Sequence, residues 1–140
     1  MDASDRQPWL LMVLLLGAVY FVFGIAFAAF ARWSGPTPMH EIWNRLGFVA
    51  SAIAFALHIG YEHFRLHNSS LTAAWHVSLA VALGAFALAV GANVNGYRVG
   101  SSNKGLLAFA LLAWPVITGV PAFMVALVAA TVLALRPRRT

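Results

Sequence analysis

Four residues of this chain have types and spacing that do chemistry. His58, Tyr61 and Glu62 fall within five consecutive positions, and His76 follows fourteen residues after Glu62. On a helix His58 and Glu62, four apart, lie on one face a single turn from each other. A carboxylate beside an imidazole can hold and exchange a proton. Neutral imidazole also ligates haem iron or zinc. Three functions follow from these types. One is a proton-coupled transporter working through Glu62. Another is a haem- or metal-binding redox protein using His58 and His76. The third is a binding protein whose polar cluster holds a ligand or the fold.

The surroundings of His58 narrow the reading. On a repeat of three and a half residues, Asn44, Ser51, His58 and Arg65 fall in line, flanked by Gly47, Ala54 and Tyr61. The opposite face carries Ile42, Val49, Ile53 and Ala56. Lipid offers no hydrogen bonds, so the polar seam must face protein or a water-filled cavity. Downstream, Thr72, Ala73, His76, Ala80, Gly84, Ala87 and Gly91 share a face of small residues. Small faces let helices approach closely. A turn near Asn68 sets Glu62 and His76 at matching depth, with His58 one turn deeper. The expected site is a cluster of His58, Tyr61, Glu62 and His76 between the second and third helices. Ser51 and Asn44 extend the seam, where packing alone also accounts for them.

Other patterns carry less chemistry. His63 and His67 are four apart but point away from the seam, as solvated side chains near a surface do. Glu41 and Arg45 have the spacing of a helical ion pair, a structural clamp at the other end that Arg32 and Asn93 could join. Ser51 and Ser78 lack a nucleophile elbow, and no HExxH occurs. A di-iron centre needs more His and carboxylate ligands than the chain offers on one side. With no cysteine there is no disulfide, thiolate metal site or covalently attached c-type haem. No cofactor is required by the sequence.

The elements that position these residues follow from composition. The 140 residues are 61% hydrophobic and 9% charged, far from the balance of a water-soluble domain. The fold class is therefore an all-α integral membrane protein, a single four-helix domain over residues 1–140. Four stretches are long and apolar enough to cross a bilayer, at about 9–31, 41–61, 71–92 and 106–135. The first apolar run, Trp9–Ala31, has 23 residues, which is too long for a signal peptide and reads as a retained span. Short connections predict an up-down-up-down bundle. Pro115 and Pro121 predict a kink in the fourth helix. Leu16-Gly17-Ala18 recurs as Leu83-Gly84-Ala85, which convergent helix packing explains better than an internal repeat.

Net charge is +5, but the basic residues sit singly in loops and at the C-terminus, which excludes an ordinary nucleic-acid surface. The terminal run Arg136-Pro137-Arg138-Arg139 predicts cytoplasmic termini in a bacterial-type inner membrane. The partner is the lipid bilayer, with a homo-oligomer or a larger membrane complex as the expected setting. The functional expectation is a small non-enzymatic accessory or hydrophobic-ligand-binding protein.

Overall fold

The computed structural model describes residues 3–35, 38–100 and 103–135, with side chains from Trp9 onward. It holds four helices: α1 (Ala3–Trp33), α2 (Pro38–Phe64), α3 (Ser70–Arg98) and α4 (Lys104–Leu135). Each is long and apolar enough to cross a membrane, the make-up of a multi-pass membrane protein. Each is also longer than its hydropathic core predicts, because polar ends such as Asn95–Arg98 continue the helix.

Punctuation residues set the ends. Ser69 caps α3, its hydroxyl accepting from the Thr72 amide at 3.2 Å. Gly35 and Gly100 hold the positive φ that ends α1 and α3. Thr37, expected to cap α2, lies outside the described residues. Helix α4 runs unbroken through Pro115 and Pro121. The Thr118 hydroxyl donates to the Trp114 carbonyl at 2.9 Å, a carbonyl whose usual helical donor is that same residue's amide.

Helix α3 is the centre of the bundle. It packs most extensively on α4 and α1, and among the described residues α1 and α4 do not touch. Of the eleven buried hydrophobic residues, eight are alanine, so the core forms by close backbone approach. Large apolar side chains point outward instead, as at Leu15, Phe48 and Leu112. That is the pattern of a bundle solvated by lipid, where burying leucine gains little.

Gly17 and Gly84 meet where α1 and α3 cross. A Cβ on Gly84 would lie 2.7 Å from Tyr20 Cβ and 3.1 Å from the Gly17 carbonyl oxygen. The two glycines of the recurring Leu-Gly-Ala triplet therefore meet each other. The small face of α3 is thus shared: Ala80 and Gly84 pack on α1, while Ala73 and His76 at its start also meet α2. Trp9 meets His76, Gly17 meets Gly84 and Gly24 meets Leu88, so α1 and α3 stay in step along the crossing.

Helix α2 is the most loosely held. Its first half lies on α1, with Gly47 against Phe27 and Trp43 between Phe27 and Phe30. His40 Nδ1 reaches the Ala31 carbonyl at 2.8 Å. Its second half turns to α3 and α4, where Ile59 joins Ala73, Ala74, Val77, Ala126 and Ala130.

Candidate functional site

The last turns of α2, the first turns of α3 and the start of α1 converge on one carboxylate. Glu62 is 1% exposed, a charged side chain almost wholly shut away from solvent. His76 Nδ1 lies 3.1 Å from Oε1 and 3.2 Å from Oε2. With Glu62 ionised, the carboxylate accepts and the imidazole Nδ1 is the donor in this contact. Asn68 Nδ2 donates to Oε2 at 2.5 Å. The same residue's backbone amide donates to the Glu62 carbonyl at 3.2 Å, which folds the connection back onto the end of α2. His67 takes a left-handed φ of 53° to allow this turn.

His58 completes the group from one turn deeper. Its side chain is fully buried, and Nε2 lies 3.6 Å from Glu62 Oε1. That is an ion-pair distance but too long for a hydrogen bond. Neither ring nitrogen of His58 has a hydrogen-bond partner among the protein atoms. A buried polar group left in this state carries a penalty of about 1–3 kcal/mol. A closure of a few tenths of an ångström would bring Nε2 onto the carboxylate and remove part of it.

The cluster thus holds His58, Glu62 and His76 together, as the depth argument requires. It does not include Tyr61, which is 41% exposed on the outer side of α2. Asn44 and Arg65 are likewise exposed, and Ser51 is half-buried. The physical reason is a change of partner: the inner face of α2 passes from α3 and α4 near Ile59 to α1 near Trp43 and Gly47, so no single neighbour lines the seam.

Two members were not expected. Asn68 reads in sequence only as a turn residue; its amide six positions after Glu62 was the available signal. Trp9 reads as an interface marker, yet its indole stacks on His76 with centroids 5.1 Å apart and planes 6° apart. Nothing local in the sequence pairs residues so distant.

The remaining candidates lie elsewhere. Glu41 and Arg45 are 3.5 Å apart, both side chains largely exposed, so the pair adds little to stability. Asn93 does not join them: its amide donates to Ala89 and Leu107 carbonyls at 2.9 and 2.6 Å, tying α3 to α4. His63 lies edge-on to Phe64, and His67 is exposed. Among the described residues no group of three His, Cys, Asp or Glu side chains is placed to hold a metal ion.

The described residues also form concavities, of which two bear on function. A slot of about 250 Å³ between α3 and α4 is lined by Trp75, Ala82, Gly119 and Phe123 and is almost wholly apolar. A larger open groove of about 760 Å³ runs between α1 and α3, reaching Leu107 of α4, with Arg32 and Asn95 among its lining residues. Comparison with known protein families, with curated proteins and with solved structures finds no match to this chain.

Proposed function

We propose that this chain is a small non-enzymatic membrane protein of accessory or hydrophobic-ligand-binding type, in which His58, Glu62 and His76 form a proton-binding latch. The observation that carries this is one buried carboxylate gripped by His76 and faced by an unpartnered His58. Both imidazoles lie within 4 Å of the same carboxylate, close enough for the three side chains to exchange a proton. The latch ties α1, α2 and α3 at one end of the bundle. Its closure speaks for holding and sensing rather than for catalysis, since no reacting atom of a substrate can reach Glu62. Both imidazoles face the same carboxylate, which supports a proton-binding role for the pair over haem ligation.

The same reading takes the bundle as up-down-up-down, with α4 bent near Pro115 and Pro121 and both termini in the cytoplasm. The helix pairings and the interior prolines support it. A second reading, proton-coupled transport through Glu62, rests on the same buried carboxylate.

The test is nitrogen-15 NMR of the histidine side chains in micelles. In the wild type the His76 Nδ1 resonance should show a hydrogen bond to the Glu62 carboxylate, and it should move in Glu62→Leu while the exposed His67 does not. A His76 resonance indifferent to Glu62→Leu would sink the latch. Proton uptake into sealed vesicles that disappears in Glu62→Gln would select transport instead.

A further inference from the structure

We infer that the groove between α1 and α3 holds a phospholipid with an anionic headgroup, its phosphate on Arg32 and one acyl chain along the slot beyond. The site is at the other end of the bundle from the His58–Glu62–His76 cluster and is independent of it. It exists because α1 and α4 do not touch, which leaves the side of α3 open between them. The slot walls are small or apolar, as at Gly24, Ala28, Leu88 and Ala92. Gly91 is exposed, and a Cβ placed on it would meet nothing within 4 Å, so the floor of the slot is open space. From Gly24 to Arg32 the groove runs eight residues, about 12 Å at the helical rise.

Charge selects the occupant. Arg32 stands in the last turn of α1 at the mouth of the slot. Among the described residues it has no acidic partner: Glu41 is engaged by Arg45, and Glu62 lies buried in the cluster. Arg32, Arg45, Arg98 and Lys104 gather at this end against the single acid Glu41. A guanidinium binds a phosphate through two parallel N–H donors. Asn95 beside it adds a neutral donor. A free anion would have no use for the apolar slot, and a neutral lipid would leave the basic mouth uncompensated.

The experiment is native mass spectrometry of the whole chain, purified in micelles. Dioleoyl-phosphatidylglycerol, dioleoyl-phosphatidylcholine and inorganic phosphate are added in turn. The wild type should retain phosphatidylglycerol about 5-fold more strongly than phosphatidylcholine, the scale of one arginine at a membrane surface. Arg32→Gln, at an exposed position, should abolish that preference. Gly91→Leu should fill the slot and lose both lipids, with unchanged helicity by circular dichroism. Equal retention of both lipids by the wild type would overturn the proposal. So would an Arg32→Gln variant that keeps the preference, or displacement of the lipid by millimolar phosphate alone.

Discussion

His76 is held on two sides at once: its face lies on Trp9 at 5.1 Å, nearly parallel, and its edge holds Glu62 at 3.1 Å. The stack is the contact that joins α1 to the cluster. A ring pair of this kind contributes about 0.5–1.5 kcal/mol beyond its buried area. Trp9→Ala should therefore lower the unfolding free energy by about 2–4 kcal/mol once lost packing is included. Trp9→Phe should restore most of it. Circular dichroism through a titration with sodium dodecyl sulfate measures both.

Removing the carboxylate should be the most damaging single change in the cluster. Glu62→Leu leaves two buried imidazoles without their common partner and should cost about 3–5 kcal/mol. Glu62→Gln keeps an acceptor for His76 Nδ1 and should cost about 1–2 kcal/mol. Equal losses for the two variants in the same titration would show that only volume matters at this position.

Asn68 should behave as a functional part of the turn rather than as a spacer. Its amide donates to an ionisable partner at 2.5 Å, so Asn68→Ala should cost about 1.5–3 kcal/mol. Asn68→Asp should be worse, because it sets a second carboxyl group against Glu62. Hydrogen exchange at the Asn68 amide, which donates to the Glu62 carbonyl, should speed up in both variants.

Two of the three glycines of α3, Gly84 and Gly91, should respond in opposite directions. Gly84→Ala forces a methyl group onto Tyr20 and the Gly17 carbonyl, and overpacking of this kind costs about 1–3 kcal/mol. Gly91→Ala meets open space and should gain up to about 1 kcal/mol from helix propensity. Thermal unfolding of the two single variants gives the comparison directly.

Orientation can be read by labelling, because the chain contains no native cysteine. Cysteine at Ser34 or Asn103 should react with an impermeant thiol reagent added to intact cells. Cysteine at Leu66 should react only after permeabilisation. The reverse pattern would invert the assignment of cytoplasmic termini.

The four spans and the common depth of Glu62 and His76 were legible in the one-dimensional pattern. Hydropathy sets how far each residue lies from a membrane surface, and a short turn at Asn68 copies that depth from α2 to α3. The position of each face around its helix axis was not legible in the same way. Asn44 and Tyr61 look inward on a heptad wheel, yet the real helix rotates Trp43 and Gly47 toward α1. The small face of α3 could have received either neighbour. Between helices in lipid there is no hydrophobic preference to choose the partner, because the acyl chains are as apolar as leucine. Close packing decides instead, and α1 and α3 approach closely where Gly17 meets Gly84. That choice brings Trp9 onto His76, leaves Tyr61 outside, and opens the groove beside Arg32, all of which depend on the tertiary structure alone.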